Sequence, residues 1–359
     1  MRIVVIDPNL PAVAAELEEA ARAAVPGTEV SWHPRFDKEA VARDLPGAEV
    51  LVASRYTASL TPLSGSLRLL QCPAAGLDAI DTAALPAGVL VANTGHHERS
   101  VAEHVLAGVV VLRRRLREQD AALRERSEWA SSTFDSSLPL VGGLDGARIG
   151  FVGFGAIGRA CWAPFAALGA VGAAVTGSGS LARPDLNWPD LNWPDLEWHG
   201  RTDGADGRGG LDRLVAESDV LVLSAPLTPA TTDLVDARVL GLAPADAVLV
   251  NVGRGPLVNE DALFEALAAG RLGGAVLDVW WTYPGGGAPG GSAGAARPGR
   301  ADPVVGAPGR RDWGSLANVV ASPHSSGITR QTLLARVADI AENLSRLEAG
   351  TPLLNAVGR

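Results

Sequence analysis

Cysteine is nearly absent from this sequence of 359 residues, which contains only Cys72 and Cys161. The two residues lie far apart and match no metal-ligand spacing, so we expect both thiols to be reduced and structural. No apolar run reaches the roughly 18 residues that a membrane helix needs. Met1-Arg2 leads directly into Ile3–Ile6, without the pattern of a secretion signal. The sequence therefore predicts a cytoplasmic protein without a membrane partner.

Positive charge is also in deficit, because the formal net charge is −9. An acidic protein is a poor partner for nucleic acids and for anionic membranes. A small anionic substrate would have to be held by local positive groups. Hydrophobic residues make up 47% of the chain, which is enough for two domains that each bury a core.

Short apolar segments alternate with helical patterns along the chain. Their nearly continuous apolar character is typical of strands buried on both faces of a parallel sheet. Asn259 is expected to cap a helix that stops at Gly270, and the last long helix should stop at Gly350. The fold class is therefore predicted as α/β with two parallel-sheet units. Strands are predicted at Ile3–Ile6, Val50–Ala53, Leu67–Cys72, Val89–Asn93, Arg148–Gly153, Ala173–Thr176, Val220–Ser224, Val248–Val252, Gly274–Val279 and Val319–Ser322.

Two stretches interrupt this pattern and are predicted to be loop insertions. The segment at 184–198 repeats a pentapeptide, PDLNW-PDLNW-PDLEW, which is too short for a solenoid. We interpret it as a duplication in a surface loop, with a specific binding strip as the alternative. The segment at 285–311 is rich in glycine, proline and alanine and predicts an insertion with little fixed structure.

A glycine motif, Gly153-Phe154-Gly155-Ala156-Ile157-Gly158, stands between a predicted strand and a predicted helix. In this context the first glycine permits a tight turn, and the second lets the backbone approach a pyrophosphate. The third allows close packing of helix on strand. The motif therefore predicts a site for a dinucleotide cofactor.

The choice between NAD and NADP stays open. An acidic residue should close the second strand of such a site and bind the ribose hydroxyls, but the segment 175–180, VTGSGS, contains none. The hydroxyls of Ser178 and Ser180, with Arg183 nearby, could accept a 2′-phosphate. Alternatively, Asp185 could replace the missing acid.

Six segments follow one another in a fixed order along the chain: Ala75-Gly76-Leu77-Asp78, Ser100–His104, the glycine motif, Asn251–Gly255, Leu277-Asp278-Val279 and Ser322-Pro323-His324. With these segments the chain resembles the D-isomer specific 2-hydroxyacid dehydrogenase family, in the formate/glycerate dehydrogenase-like superfamily. The resemblance spans roughly Val50 to Gly327. It implies two Rossmann-like parallel-sheet domains, with a cofactor domain (99–329) inserted into a discontinuous substrate domain (1–98 plus 330–359). It also implies a homodimer formed through the cofactor domain.

The resemblance also implies roles for individual residues. His324 matches the acid/base histidine, and Arg254 matches an arginine whose planar fork holds a carboxylate and polarises the reacting oxygen. The amides of Ala75 and Gly76 match a second carboxylate cradle, and Asp278 matches an aspartate near the nicotinamide carboxamide. The expected cofactor-binding residues are Gly153, Gly155, Ala156, Ile157, Gly158, Thr176, Ser178, Ala225, Pro226, Val252, Gly253, Arg254, Asp278, His324 and Gly327.

The sequence departs from the family at Tyr283, which occupies the position of the glutamate that hydrogen-bonds the catalytic histidine. A phenol supplies a hydrogen bond but no negative charge. His324 is then expected to be mostly neutral near pH 7, which favours substrate oxidation over carbonyl reduction. Formate dehydrogenases, in the same superfamily, carry a neutral glutamine here. Drift in a catalytically weakened protein is the alternative.

A second departure is the sequence His96-His97-Glu98-Arg99, where the family usually has an asparagine facing the substrate. His97, together with Arg55, would add hydrogen-bond donors suited to a larger or more highly charged anion, such as a phosphonate. Solvated residues at the rim are the alternative. A metal site made of His96, His97 and His104 is not expected, because the helical spacing and a converging third ligand are missing.

The leading function is therefore NAD(P)-dependent oxidation or reduction of a CH–OH or carbonyl group in a small anionic substrate, of the 2-hydroxy acid or hydroxyphosphonate type. One alternative is a formate- or phosphite-type dehydrogenase. Another is a cofactor-sensing protein without catalysis, as the C-terminal-binding co-repressors of this superfamily are. Arg254, Asp278 and His324 favour an enzyme, since a sensor needs no acid/base imidazole.

Overall fold

The computed structural model describes residues 1–181, 195–203, 209–284 and 306–358. Over these residues the chain divides into two compact units. The first contains Met1–His97, Thr282–Pro308 and Ile328–Arg359, and the second contains Glu98–Trp281 and Gly309–Gly327. Each unit is built on one all-parallel sheet. The predicted fold class, α/β with two parallel-sheet units, is confirmed.

The elements of both units follow one another as short strands and helices. In chain order they are β1 (Arg2–Ile6), α1 (Ala14–Ala24), β2 (Glu29–Trp32), α2 (Lys38–Asp44), β3 (Val50–Ala53), β4 (Leu69–Gln71), β5 (Leu90–Ala92), α3 (Glu98–Arg113), α4 (Leu116–Arg126), β6 (Arg148–Val152), α5 (Ala156–Ala167), β7 (Val171–Thr176), β8 (Trp198–Arg201), α6 (Gly209–Glu217), β9 (Val220–Leu223), α7 (Ala237–Leu240), β10 (Val248–Asn251), α8 (Glu260–Ala268), β11 (Gly274–Leu277), β12 (Val319–Ala321) and α9 (Arg330–Ala349).

The sheet of the first unit has the order β2-β1-β3-β4-β5 and is buried on both faces. Along β1, Ile3 and Val5 point into a core that includes α1 and α9, whereas Val4 points into the core on the opposite face. This two-sided burial explains the continuous apolar runs in the sequence. The last helix contributes Val337, Ile340, Leu344 and Leu347 to the first of these cores and ends at Gly350, as predicted.

The sheet of the second unit has the order β12-β11-β10-β9-β6-β7-β8. The chain starts in the middle at β6, runs outward to β7 and β8, and then returns to β9 on the other side of β6. This is the doubly wound arrangement, in which ligands bind at the carboxyl ends of the strands where the winding direction reverses. The reversal lies between β6 and β9, and β6 is the strand that precedes the glycine motif.

Most strand and helix predictions are confirmed, with two omissions. Asn259 caps α8 through a hydrogen bond from the Ala262 amide to its Oδ1 (3.1 Å). The strands β2 and β8 were not predicted. The pentapeptide repeat lies outside the described residues up to position 194, and its last four residues lead into β8. Positions 285–305 of the second insertion also lie outside the described residues.

Both cysteines are buried and free. Burial raises the pKa of the Cys72 thiol to about 11 and that of the Cys161 thiol to about 12. Neither is therefore a thiolate nucleophile at neutral pH. None of the helices in the described ranges combines the length and apolar character needed to cross a bilayer.

Candidate active site

A cavity of about 790 Å³ lies at the carboxyl edge of the second unit's sheet. Its floor is formed where β6 and β9 end, by Gly153 and Gly155 from one strand end and Ala225 and Pro226 from the other. Thr176 and Ser178 line the side next to β7. Six of the expected cofactor-binding residues thus meet in one cavity.

The glycine motif has the geometry that its chemistry requires. Gly153 has a φ of +86°, and a Cβ there would lie 2.7 Å from the amide nitrogen of Ala225. A Cβ on Gly158 would lie 2.8 Å from the Gly153 carbonyl oxygen, so this glycine lets α5 sit against the turn. Gly155 precedes α5, and Ala156, Ile157 and Gly158 form its first turn, where backbone amides favour an anion. The residues present therefore fit a bound dinucleotide.

The cavity also contains residues that the sequence analysis did not assign to it. They come from the loop after β9, from the start of α7 and from the end of β8, and no local motif marks them. Only the fold, which brings β8 beside β7, places the last group in the site. These additional lining residues include Thr202, Asp203, Thr228, Thr231, Asp233, Asp236 and Arg238.

Arg254 follows β10, in a loop that Asn251 fixes from inside. The Asn251 side chain is fully buried, donates to the Arg254 carbonyl (2.9 Å) and accepts from the Gly253 amide (3.2 Å). The Arg254 guanidinium donates to the Gly253 carbonyl (2.8 Å). A Cβ on Gly255 would lie 2.3 Å from the carbonyl carbon and oxygen of Trp280, so this loop packs against the one after β11. Val252 and Gly253 belong to this loop.

Asp278 follows β11 and holds the loop that carries His324. Its buried carboxylate accepts from the Ser322 hydroxyl (2.6 Å), from the Ser325 amide (2.8 Å) and from both the amide and the hydroxyl of Ser326. His324 has a φ of +57°, a conformation uncommon outside glycine. The clustered donors fix this unusual backbone turn. Contact of Asp278 with a nicotinamide carboxamide stays a prediction.

The Ser322 hydroxyl also lies 3.1 Å from Nε2 of His104 on α3. Since that hydroxyl donates to Asp278, the imidazole donates to Ser322. His104 thus contacts the loop before His324. Gly327 closes the same loop.

The first unit places the expected substrate-binding residues after β3, β4 and β5. The loop of Ala75 and Gly76 is held to the end of β5 by the Asn93 side chain, which donates to the Ala75 carbonyl (2.8 Å). The Thr94 amide donates to the Ala74 carbonyl (3.3 Å). No hydrogen bond from the Ala75 or Gly76 amide to another group of the described residues is found. Both amides can therefore donate to an anion.

His97 and Arg55 also follow strands of the first sheet, and Arg55 is exposed. The neighbouring His96 pairs with Asp339 on α9, with 2.9 Å between Nε2 and Oδ2. Tyr283 lies partly buried in the segment after Trp281. Within the described ranges, no group of three or more histidine, cysteine or acidic side chains is arranged to hold a metal ion.

The fold and the glycine-lined cavity define a dinucleotide-binding α/β protein of the doubly wound class. Comparison with known proteins narrows this class. Residues 196–326 match the profile of the D-isomer specific 2-hydroxyacid dehydrogenase family, NAD binding domain. A D-3-phosphoglycerate dehydrogenase from Mycobacterium tuberculosis is 28% identical over 334 residues, which cover 92% of this chain and 54% of that protein.

A glycerate dehydrogenase from Methylorubrum extorquens is 27% identical over 332 residues, covering 90% of this chain and 89% of the relative. Among solved structures, the TT0316 protein from Thermus thermophilus has a TM-score of 0.73 at 27% identity, with both chains covered completely. The chain is therefore similar to members of the D-isomer specific 2-hydroxyacid dehydrogenase family over most of its length, and its residues 196–326 match that family's NAD-binding domain. It spans about half the length of the phosphoglycerate dehydrogenases that it matches.

Proposed function

We propose that this chain is an NAD(P)-dependent dehydrogenase of the D-2-hydroxyacid type. It acts on the CH–OH or carbonyl carbon beside the anionic group of a small substrate. The observation that carries the proposal is the succession of Arg254, Asp278 and His324 after three neighbouring parallel strands. These strands end at the same edge of the sheet as the glycine-lined cavity.

Each side chain has a task that its chemistry permits. The planar guanidinium of Arg254 binds the substrate carboxylate and stabilises negative charge on the reacting oxygen. The imidazole of His324 accepts the hydroxyl proton in oxidation and donates it in reduction. Asp278 holds the His324 loop by accepting from Ser322, Ser325 and Ser326. When bound, a nicotinamide cofactor would supply the hydride in reduction or accept it in oxidation.

The cofactor in this proposal is NAD or NADP. Its pyrophosphate would lie at Gly153, Gly155 and the first turn of α5, where the backbone is close and its amides are available. The substrate would be held by Arg254, by the amides of Ala75 and Gly76, and by His97 and Arg55 if it carries more charge. Tyr283 remains in the proposal as the uncharged replacement for the family's glutamate.

The names of the relatives support a small hydroxy acid as substrate, since they include a glycerate and a phosphoglycerate dehydrogenase. We further propose a cytoplasmic location and a homodimer. The acidic net charge and the two free cysteines support the first. Exposed apolar side chains of the second unit support the homodimer.

The test is a nicotinamide absorbance assay of the full chain with a panel of substrates: D-hydroxy acids and their keto acids, hydroxyphosphonates, formate and phosphite. We expect turnover with a hydroxy acid or hydroxyphosphonate, and His324→Asn should lower kcat by about 100-fold or more at unchanged cofactor affinity. Turnover of formate or phosphite alone would assign the chain to that class. Tight cofactor binding without turnover of any compound would favour a sensor.

A further inference from the structure

The end of β7 lacks the carboxylate that usually binds the adenosine ribose in a dinucleotide site. Thr176 is followed by Gly177, Ser178, Gly179 and Ser180, and none of these carries a negative charge. The candidates suggested by the sequence, Arg183 and Asp185, lie outside the described residues. Among the described residues, the charge at the ribose end of the cavity therefore comes from another element.

In the structure, a negatively charged residue reaches this end of the cavity from β8, the strand next to β7. β8 pairs with β7 in parallel, with Arg201 opposite Thr176, and the Thr202 amide donates to the Thr176 carbonyl (3.0 Å). Because parallel strands end at the same edge, Asp203 emerges beside the end of β7. Asp203 lines the cavity together with Thr176 and Ser178.

The turn after β7 packs closely against β8. Gly179 has a φ of +74°, and a Cβ there would lie 2.6 Å from Cγ of Arg201. Nδ1 of His199 lies 3.1 Å from the Gly179 carbonyl oxygen. These contacts keep the turn against β8, and among the described residues Asp203 is the acid next to it.

Asp203 is held as an ionised carboxylate. Arg201 donates to both of its oxygens, at 2.8 and 3.0 Å. This hydrogen-bonded guanidinium lowers the pKa of the Asp203 carboxyl. A carboxylate that accepts two hydrogen bonds from arginine retains further lone pairs, which two ribose hydroxyls can use.

The rest of the described lining disfavours an additional phosphate. Arg238 is the one arginine among these lining residues, and Asp212 binds it through two hydrogen bonds of 2.8 Å. Asp233 and Asp236 add negative charge to the same cavity. A 2′-phosphate would meet a carboxylate beside β7, and the only arginine in the described part of the lining is already paired with Asp212.

We propose that Asp203 binds the 2′- and 3′-hydroxyls of the adenosine ribose and makes this site selective for NAD(H) over NADP(H). The assignment rests on the proposed function, in that the cavity holds a nicotinamide dinucleotide. In this proposal the acid that discriminates between the cofactors follows β8, whereas in most dinucleotide sites it follows the strand that corresponds to β7. The proposal is incompatible with the alternative in which Ser178 and Ser180 bind a 2′-phosphate.

The experiment is calorimetric titration of the full chain with NADH and NADPH, which measures binding independently of turnover. Wild type should bind NADH at least tenfold more tightly than NADPH. Asp203→Asn removes the charge at nearly constant size and should reduce this ratio about tenfold, the range expected for hydrogen bonds to a charged group. Asp203→Glu should retain most of the preference.

Asp120→Asn is the matched control, because it also removes an exposed aspartate paired with an arginine, here Arg124 on α4, away from the cavity lining. Its ratio should stay at the wild-type value. A wild type that prefers NADPH, or an Asp203→Asn ratio within threefold of wild type, overturns the inference. If Arg201→Gln then weakens NADPH alone, the guanidinium is the discriminating group. A chain that binds neither nucleotide contradicts the proposed function itself.

Discussion

At the scale of single residues, Arg254 is the side chain whose geometry matters most for substrate binding. Its carbonyl is held by Asn251 and its guanidinium donates to the Gly253 carbonyl. Arg254→Lys keeps the charge but removes the planar fork, so kcat should fall and KM should rise together. Steady-state kinetics measure this. Kinetics equal to wild type would remove Arg254 from the substrate site.

Substitution of Tyr283 is predicted to affect substrate reduction and substrate oxidation in opposite directions. Tyr283→Glu returns the acid that the family carries at this sequence position. If its charge couples to His324, the imidazolium is stabilised, and the high-pH limb of kcat/KM for reduction should move upward by about one unit or more. Oxidation near neutral pH should slow, because it requires neutral imidazole. Loss of activity in both directions with unmoved pH limbs would contradict charge coupling.

Sequence motifs predicted residues whose position depends on their immediate neighbours. The structure was needed for residues whose position depends on segments far away in the chain. The turn at Gly153 was predictable because it depends on local backbone geometry and on a motif of a few residues. Asp203 was not, since its place in the cavity depends on the pairing of β8 with β7. The hydrogen-bond donors to Asp278 could not be predicted either, because Ser325 and Ser326 lie more than 40 residues away in sequence.

At the scale of elements, the loops after β10 and β11 act as a pair. A Cβ on Gly255 would lie 2.3 Å from the Trp280 carbonyl, so Gly255→Ala must push the loops of Arg254 and Asp278 apart. We expect a loss of stability of about 2 kcal/mol or more and a lower kcat. Thermal unfolding and kinetics measure the two effects.

Gly143→Ala is the control for this substitution, because a Cβ at Gly143 meets nothing within 4 Å. Its Tm and kcat should stay close to wild type. A Gly255→Ala protein with the stability of the control would show that the two loops do not constrain each other.

Strand prediction succeeded where burial is two-sided and failed at one outer strand of each sheet. β3 and β9 are buried throughout and read as continuous apolar runs. β2, with the sequence EVSW, and β8, with WHGR, are outer strands whose residues are only partly buried. Their polar residues carry no apolar run, so only pairing with a neighbour identifies them.

At the scale of the whole molecule, exposed apolar side chains support self-association. Trp129 and Phe134 are each 65% exposed and contact one another edge to face, and Leu140 is 88% exposed. Large exposed apolar side chains close together in sequence are typical of interfaces. We expect a dimer by light scattering, and Trp129→Ser with Leu140→Ser should shift it toward monomer. A monomeric wild type at micromolar concentration would contradict the proposed homodimer.

The helix α9 determines the order in which the chain can acquire its fold during synthesis. The core on one face of the first sheet is completed by Val337, Ile340 and Leu344 of this helix. Asn343 adds buried hydrogen bonds to Gln71 and to the Leu354 carbonyl. The ribosome adds these residues after the whole second unit, Glu98–Trp281 with Gly309–Gly327, has been made. The second unit can therefore fold before α9 is synthesised. During this time the apolar side chains of β1 and β3 that α9 later covers remain exposed, and chaperones can bind them.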